Sequence, residues 1–529
     1  MIKELLVQNF KSFTSFSLTL NDDLNIVVGN NEAGKSTILE ALGLALTKRL
    51  NGRPIEYELS PYHFNRVCAA AYLKDLAAGN KPALPRIAIE LYLDDRPEFA
   101  PLRGSNNSKK ADAVGLKLEI VFDEAYKEEY ARLLEDKTEK KVIPAEYYQV
   151  NWLSFANAAI TARSVPINVY YIDATTIRLQ SGTDYYVQTI ISDSLTPKDK
   201  VALAIAYRGL KEQFSSTPSI QSINKGLSKG AITDKDLTLS IDISQKSSWE
   251  TNLIPHLDEL PFQLAGKGEQ TALKVMLALD RKAEASDVIL IEEPENHLSF
   301  SSMNKLIDKI AAKCAGKQIV ITTHSAYVLN KLGIEKVFLL HNGKTTSLAE
   351  LPGDTQNYFK KLSGYDTLRL ILADWAILVE GPSDELIVQK AYLVKHGKLP
   401  IQQGVDVINV RGLSFSRFLD IAVLLKKRVA VVTDNDGDYQ KKVVEKYQSY
   451  KGSPAIKICA DTDNAAKTLE PQIIKCNNLA VLNKVFETAH KDLQSIAAYM
   501  EANKTECALK IFESKEVIAF PKYVVDAVS

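Results

Sequence analysis

The sequence predicts an α/β protein of several domains, in which buried strands end in loops that carry glycines or charged residues. Three observations indicate this fold class. A short buried strand at 24–28 leads through a glycine-containing loop into a helical pattern at 36–47. Of two more buried strands, 288–292 ends in paired carboxylates and 318–323 is followed by a histidine. A further series of such strands lies in the C-terminal third of the chain.

Length and composition set the broad class. The 529 residues exceed one ordinary core, and roughly 100 to 200 residues per domain suggest about three folding units. The composition, 46% hydrophobic and 25% charged, is that of a globular protein, and no apolar run approaches the roughly 18 residues of a membrane span. Residues 1–10 lack the features of a signal peptide, so we expect a cytoplasmic protein without a membrane segment. The five cysteines show no CxxC spacing, which argues against a zinc site.

The charges of the chain are balanced, with 65 Lys plus Arg and 65 Asp plus Glu. The whole-chain field therefore does not attract nucleic acid, and any DNA contact must use a local basic patch. Three clusters are candidates, although such clusters are more often solvated faces. They are Lys109 with Lys110; Lys137, Lys140 and Lys141; and Lys426, Lys427 and Arg428.

The secondary-structure pattern divides the chain into four segments. Alternating strands at 86–93 and 116–122 predict an antiparallel layer in the first segment. The second is predicted to be a mostly helical insertion, because 195–214 has helical periodicity and a Ser-, Thr- and Gly-rich stretch follows. The first and third together form a nucleotide-binding domain, and the fourth is another α/β domain. The segments are 1–180, 181–240, 241–355 and 356–529.

The loop Gly29–Ser36 fits the pattern GxxxxGK[ST] and stands between a predicted strand and a predicted helix, the context that this motif requires. Its backbone N–H groups and the helix N-terminus favour phosphate, Lys35 reaches the β and γ phosphates, and Ser36 can ligate Mg²⁺. The loop therefore predicts an ATP site. Its predicted nucleotide-binding residues are Asn30, Asn31, Glu32, Ala33, Gly34, Lys35, Ser36 and Thr37.

Two later strands deliver residues for hydrolysis. The strand at 288–292 ends in paired carboxylates, of which Glu292 is predicted to hold the metal shell and Glu293 to act as general base on the attacking water. The strand at 318–323 delivers His324, which is suited to contact the γ-phosphate.

These motifs resemble those of the ABC-class ATPases of the SMC, recombination and overcoming-lysogenization-defect (OLD) group. Residues 265–271 resemble the signature that closes over ATP from the opposite head. The resemblance implies that Lys267 and Gly268 contact nucleotide, that the chain forms a homodimer or higher oligomer, and that the insertion is a dimerisation element. Gly266 stands where the family usually has serine, and Glu292 replaces the usual aspartate. These departures concern the rate of hydrolysis more than ATP binding.

The C-terminal domain carries a second set of carboxylates. The strand at 376–380 ends in Glu380, and 54 residues later the strand at 429–433 is followed by Asp434 and Asp436. Because parallel strands end at the same edge of a sheet, these side chains can converge on hard cations. Such a cluster is electrostatically costly without a metal. We therefore predict a Mg²⁺ or Mn²⁺ site here.

This pair of motifs resembles the Toprim domain of topoisomerases, primases and OLD nucleases, and its place after an ABC-type head is the OLD arrangement. The expected fold is an α/β ABC-type ATPase head with a mostly helical insertion, followed by a parallel-sheet Toprim nuclease domain. The resemblance implies Asp384, Asp438 and Glu470 as further metal ligands, and Lys504 as the cation that stabilises charge on the scissile phosphate. It also implies two metal ions at this site, one more at the ATP site, and DNA as substrate.

The expected function is therefore an ATP-hydrolysing, metal-dependent DNA endonuclease, used against phage or other foreign DNA as OLD-type proteins are. A helicase or another defence-system protein is a candidate partner, and the sequence leaves open whether the enzyme works alone. The alternatives are an ATP-switched scaffold or a DNA repair ATPase that recruits a partner and has little nuclease activity. A topoisomerase would need a tyrosine nucleophile on a DNA-binding module, and no such module is recognisable.

Overall fold

The structure is a computed structural model, and it describes most of the chain. Part of the predicted insertion lies outside the described residues, which form two compact units. The first unit comprises Met1–Asn25 and Ser36–Thr323, and the second comprises Ile26–Lys35 and His324–Ser529. The residues that are not described are 136–139, 163, 174–178, 181–182, 185–194, 228–236, 243–248, 250–253, 282–285, 314–315, 362–366 and 413.

An antiparallel sheet of six strands dominates the N-terminal part of the first unit. Its strands are Ile2–Phe10, Phe13–Thr19, Ile87–Leu93, Arg103–Gly104, Ala113–Phe122 and Tyr148–Ser154. Phe13–Thr19 alternates between buried and exposed residues, so one face packs on the core and the other meets solvent. Ile87–Leu93 pairs antiparallel with Ala113–Phe122, which confirms the predicted layer.

The first unit also contains three strands that pair in parallel. Val288–Glu292 lies between Val169–Asp173 and Gln318–Thr322, so both hydrolysis strands run side by side and end at the same edge. Helices cover the strands of this unit and connect them. Those with eight or more residues are Lys35–Thr47, which belongs to this unit from Ser36 on, Arg66–Ala77, Lys127–Glu135, Pro197–Ser215, Pro218–Leu227, Lys267–Arg281 and Phe300–Lys313.

The described part of the predicted insertion contains two helices and a two-residue strand, Thr183–Asp184, and its first helix has a clear N-terminal signal. Thr196 accepts a hydrogen bond from the backbone N–H of Asp199, whose carboxylate accepts one from the N–H of Thr196 in return. Pro197 occupies the first helical position, where a missing N–H costs nothing. No helix in the described part of the chain is both long enough and apolar enough to cross a membrane.

The second unit is built on a parallel sheet of four strands. Their order is Val405–Asn409, Trp375–Val379, Arg428–Val432 and Ile456–Cys459, all parallel. The strand that leads into the phosphate loop, Leu24–Gly29, pairs separately with Val337–His341. The helices of this unit are Ala326–Leu332, Gly353–Lys361, Thr367–Leu372, Pro382–His396, Phe415–Leu424, Leu469–Cys476, Leu479–Phe486, Leu493–Ala502, Lys504–Glu513 and Lys522–Ala527.

The helix Pro382–His396 shows why these residues fold as they do. Pro382 begins it, and the carboxylate of Asp384 accepts a hydrogen bond from the N–H of Gly381. Gly397 ends it in the left-handed conformation, with φ of 70°, which glycine adopts at little cost. Its inner face, including Ile387 and Val388, packs into one continuous core with the strands of the sheet and the C-terminal helices.

Candidate functional site

The phosphate loop already has the conformation of an anion-binding turn. Glu32 and Gly34 both have positive φ, 64° and 108°, which curls the loop before the helix begins at Lys35. Lys35 is buried, and its ammonium donates to the carbonyl oxygens of Gly29 and Asn30, each at 3.1 Å. The loop backbone thus holds the lysine beside the helix N-terminus, where phosphate binds favourably.

The general base predicted at the end of the second strand has a distinctive backbone. Glu293 has φ of 41°, a region that few residues other than glycine occupy, and such strain often marks functional positions. The amide of Asn296 donates to the Glu293 carboxylate at 2.8 Å and fixes its orientation. Glu292 accepts a hydrogen bond from the hydroxyl of Tyr171 on the neighbouring strand. His324 directly follows the next strand and is partly exposed.

The signature segment begins a helix and packs closely on the loop that follows the carboxylate pair. A Cβ atom at Gly268 would lie 2.3 Å from the carbonyl oxygen of His297, so only glycine fits. Lys267, the first residue of that helix, is exposed. The amide of the buried Gln270 donates to the carbonyls of Gln263 and Ala265 and holds the turn before the helix. Lys267 is thus accessible to an anionic ligand.

In the second unit, two neighbouring parallel strands deliver the predicted metal ligands to the same end of the sheet. Glu380 directly follows the strand Trp375–Val379. Thr433 directly follows the neighbouring strand Arg428–Val432, and Asp434 is the next residue. The hydroxyl of Thr433 donates to Oε1 of Glu380 at 2.5 Å, and the N–H of Asp434 donates to the same oxygen at 3.2 Å. The two motifs, 54 residues apart, are therefore in direct contact.

Two other predicted ligands lie in the same electrostatic environment. Burial, and then the charges of Glu380 and Glu470, raise the pKa of Asp384 to about 7. Burial, and then the charges of Asp384, Glu380, Glu470 and Asp436, raise the pKa of Asp434 to about 8. The five residues are named the carboxylate edge below. Such mutually raised pKa values indicate negative charge without sufficient compensation from the protein.

Lys504 supplies part of that compensation. Its ammonium lies 3.2 Å from Oε2 of Glu470, and the hydroxyl of Thr468 donates to the same oxygen at 3.0 Å. The lysine side chain is half exposed, whereas that of Glu470 is largely buried. The structure therefore brings together the two residues that the family resemblance alone had suggested, with the cation on the solvent side.

Asp436 and Asp438 lie farther out. Asp436 is exposed, and its carboxylate lies 3.8 Å from the ammonium of Lys442. Asp438 is also exposed, and it accepts a hydrogen bond from the N–H of Lys441 at 3.1 Å, which caps the next helical segment. Asp438 therefore has a local structural role that the sequence did not reveal.

Two buried amides hold the loop that connects the motifs, and the sequence analysis missed both. Asn435, fully buried between the two aspartates, donates to the carbonyls of Asp461 and Asp463, each at 2.9 Å. Gln472, fully buried near Glu470, donates to the carbonyl of Ala466 at 2.8 Å. These amides position the loop between the DxD strand and the helix of Glu470. For Asn435, the sequence did contain a signal, because an amide side chain between the two motif aspartates indicates a structural role in the loop.

The donor chemistry of the carboxylate edge fits a divalent cation, which prefers carboxylate oxygens and would offset the repulsion between these groups. In the described part of the chain, no group of three or more His, Cys, Asp or Glu side chains is arranged to hold a metal ion. Two carboxylates of the edge, those of Glu380 and Glu470, instead accept hydrogen bonds from protein donors. The residues of the carboxylate edge thus fit a divalent cation by donor type and charge. Which of them coordinate the metal stays a prediction.

Family models match three parts of the chain. An AAA domain model matches residues 4–74, which include the phosphate loop. A second AAA domain model, whose description also names the AbiEii toxin of a type IV toxin–antitoxin system, matches 200–330 with the hydrolysis residues. The Toprim domain model of overcoming lysogenization defect protein-like proteins matches 371–436, from before Glu380 to Asp436.

Curated relatives and solved structures match more distantly. The DNA replication and repair protein RecF of Streptococcus uberis is 23% identical over 121 residues, which are 23% of this chain and 31% of that protein. The chain thus spans about a third of the length of these relatives. An SMC head bound to the C-winged helix domain of ScpA is 13% identical with a TM-score of 0.35, over 65% of this chain and 97% of that one. The SMC head domain from Thermotoga maritima is 15% identical with a TM-score of 0.28, over 65% and 97%.

Motifs, sheets and family models together define an ATPase with a C-terminal Toprim domain. Such domains imply the use of ATP and of a divalent metal ion. The order of the domains, with the ATPase first and an OLD-like Toprim domain after it, is the architecture of the OLD family.

Proposed function

We propose that this protein is an ATP-regulated endonuclease that hydrolyses DNA phosphodiesters with Mg²⁺ or Mn²⁺ at the carboxylate edge. The observation that carries the proposal is the electrostatic coupling of Asp384, Asp434, Glu380 and Glu470 at one end of a parallel sheet. A structural role does not explain why four carboxylates are kept together at a cost to stability. A cation that also binds a phosphate oxygen does explain it.

The roles of the residues follow from their positions. Glu380, Asp384, Asp434, Asp436 and Glu470 would hold the cations, which when bound activate water and stabilise the leaving oxygen. Thr433 and the N–H of Asp434 orient the Glu380 carboxylate. Lys504, which is more exposed than its partner Glu470, would contact the phosphate and offset charge that develops on it.

We further propose that ATP controls this activity through paired heads. Lys35 and Ser36 bind the phosphates and Mg²⁺, Glu293 orients water, and the exposed Lys267 completes the site of a second copy. A homodimer or higher oligomer is then the active form. Its place is the cytoplasm and its biological role is defence against phage or other foreign DNA, as the OLD architecture suggests.

The test is the double variant Asp434→Ala with Asp436→Ala. It removes two hard oxygen ligands and should abolish Mg²⁺- or Mn²⁺-dependent DNA cleavage, with a loss of at least a hundredfold. ATP hydrolysis should remain, because the ATPase residues lie elsewhere in the chain. Cleavage of plasmid and linear DNA and release of phosphate from ATP would be measured on the same preparation.

The matched control is Glu501→Ala with Glu513→Ala, two exposed carboxylates of the same domain that form no ion pair with a described residue. The control should cleave DNA as the wild type does. A folded Asp434→Ala/Asp436→Ala variant that cuts DNA at the control's rate would refute the nuclease proposal.

The second candidate is a DNA repair ATPase, or an ATP-switched scaffold, that recruits a partner. The RecF match favours it, since that relative is named for DNA replication and repair. On this hypothesis the purified wild type hydrolyses ATP but does not cut DNA with either metal, and the double variant changes neither property.

A further inference from the structure

A run of lysines directly follows the DxD motif, in residues 439–451, which we name the lysine segment. Four of its thirteen residues are exposed lysines, and Glu445 is its one acidic residue. The lysines are Lys441, Lys442, Lys446 and Lys451. This local excess of positive charge stands out in a chain whose formal net charge is zero.

The backbone of the lysine segment separates its apolar and basic residues. Residues Gln440–Glu445 form a π-helix, a rare element that is frequent at functional sites. Lys441 and Lys446, five residues apart, are both exposed, whereas Val443 and Tyr447 are buried. The segment is therefore anchored to the core by its apolar residues while its lysines are accessible to solvent.

The lysine segment is continuous with the carboxylate edge. The carboxylate of Asp438 caps its first turn, and the ammonium of Lys442 lies 3.8 Å from Oδ2 of Asp436. Lys442 therefore lies at the boundary between the acidic site and the basic surface. A strand whose scissile phosphate reaches the carboxylate edge would have its neighbouring phosphates near these lysines.

Some members of the basic clusters that are apparent in the sequence already have partners in the fold, whereas Lys110, Lys141 and Lys426 are exposed. Lys109 lies over the ring of Tyr92 and pairs with Glu4. Lys427 donates to a backbone carbonyl at 2.7 Å, and Arg428 stacks over Trp375. Of the third cluster, Lys137 lies outside the described residues.

Three lysines of the lysine segment, Lys441, Lys446 and Lys451, form no ion pair with any described residue, and their segment adjoins the carboxylate edge. Lys446 lies over the ring of Tyr447, with its ammonium 5.2 Å from the centroid. These ammonium groups are available to phosphates without the loss of an existing salt bridge.

We infer that the lysine segment binds the phosphate backbone of the DNA strand that the carboxylate edge acts on. This inference rests on the proposed function, and it names the surface that holds the substrate. Lysine recognises phosphate as a point charge and without regard to base sequence, so the contact gives affinity and register but no sequence specificity.

The experiment is binding of a fluorescent DNA duplex by Lys441→Ala with Lys446→Ala, in EDTA and over a range of NaCl concentrations. Lys442 is left intact because it contacts Asp436. Each phosphate contact contributes about 0.9 to the slope of log affinity against log salt, so the slope should fall by about 2. At 0.1 M salt the affinity should fall roughly ten- to a hundredfold.

The matched control is Lys398→Ala with Lys491→Ala, which removes the same charge from two exposed lysines of the same domain. It should keep the wild-type slope. Equal slopes for the two double variants, or a wild type that binds no DNA, would overturn the inference. Binding is measured without metal and is therefore independent of cleavage. If the Lys441→Ala/Lys446→Ala variant shows the smaller slope but the wild type never cuts DNA, only the proposed nuclease function is overturned.

Discussion

At the scale of single residues, Asp434 has an environment that opposes the charged form of its carboxylate. Its pKa is raised to about 8, so the folded protein retains a proton that the unfolded chain loses near pH 4. Wild-type stability is therefore expected to decrease as the pH rises from about 4 to 8. Asp434→Asn removes the contribution of Asp434 to this dependence, while that of Asp384 remains, and should stabilise the metal-free protein by roughly 1 to 2 kcal/mol at pH 8.

Thermal unfolding in EDTA at pH 5 and pH 8 measures this effect. The gain of Asp434→Asn should be larger at pH 8 than at pH 5, and it should shrink when Mg²⁺ is added to both proteins. A difference between the two proteins that does not vary with pH would contradict the assigned environment of Asp434.

Tyr447 offers a second residue-scale prediction. Its side chain is buried beneath the carboxylate edge, and burial raises the pKa of its phenol to about 12. The hydroxyl of the neighbouring Thr433 donates its hydrogen bond to Glu380. The Tyr447 hydroxyl itself has no hydrogen-bond partner among the described residues. Because an unpaired buried hydroxyl costs about 1 kcal/mol or more, Tyr447→Phe should leave stability unchanged or increase it by about that amount.

Tyr523→Phe is the matched comparison for Tyr447→Phe. The Tyr523 hydroxyl donates to Oε1 of the fully buried Gln472, so its removal leaves that oxygen unpaired. This variant should lose about 1 to 3 kcal/mol in urea unfolding. Equal losses of unfolding free energy in Tyr447→Phe and Tyr523→Phe would contradict the difference in hydrogen bonding between the two hydroxyls.

Sequence reasoning located Glu380 and Asp434 because a carboxylate at the end of a buried strand is a local pattern. It did not locate Asn435 and Gln472, since their partners are backbone carbonyls of a loop that carries no motif. Nor did it show that Asp438 caps the lysine segment. Hydrogen bonds to the backbone depend on the tertiary path of the chain, which residue type alone does not encode.

At the scale of elements, the phosphate loop and its helix form the part that sequence predicts best. The strand, loop and helix are contiguous in sequence, so the residues that determine their conformation all lie within the motif. The π-helix at Gln440–Glu445 could not be predicted, because six residues are too few to show a periodicity that distinguishes a π-helix from an α-helix.

Lys35→Ala tests the phosphate loop. Lys35 is the one cation of the motif, and the loop carbonyls already hold it beside the helix N-terminus. Its removal should weaken ATP binding at least tenfold and abolish hydrolysis. Titration with a fluorescent ATP analogue measures binding, and Lys81→Ala, an exposed lysine of the other unit, is the control. Wild-type affinity and turnover in Lys35→Ala would refute the assignment.

At the scale of the whole molecule, the order of motifs predicted the two kinds of α/β domain, but the division of the chain depends on long-range pairing. Leu24–Gly29 pairs with Val337–His341, more than 300 residues later, so the strand before the phosphate loop groups with the C-terminal unit. No local pattern records such a pairing. The four predicted segment boundaries therefore stay predictions, while the fold class of each part is confirmed by its strands.

An exposed Lys267 at a helix N-terminus is unfavourable for the helix dipole and has no local reason to be there. A nucleotide phosphate bound by a second copy would provide that reason, so ATP should drive association through a two-fold contact. With Glu293→Gln to slow hydrolysis, light scattering should show a dimer or larger assembly in ATP and Mg²⁺.

Adding Lys267→Ala to that variant should weaken the ATP-dependent association at least tenfold, whereas adding Lys398→Ala should not. ATP binding by the single chain should persist in both, because the phosphate loop is intact. A strictly monomeric mass in saturating ATP would contradict the paired-head proposal. An oligomer that forms equally without ATP and with Lys267→Ala would place the contact on another surface, and the signature segment would then have no role in assembly.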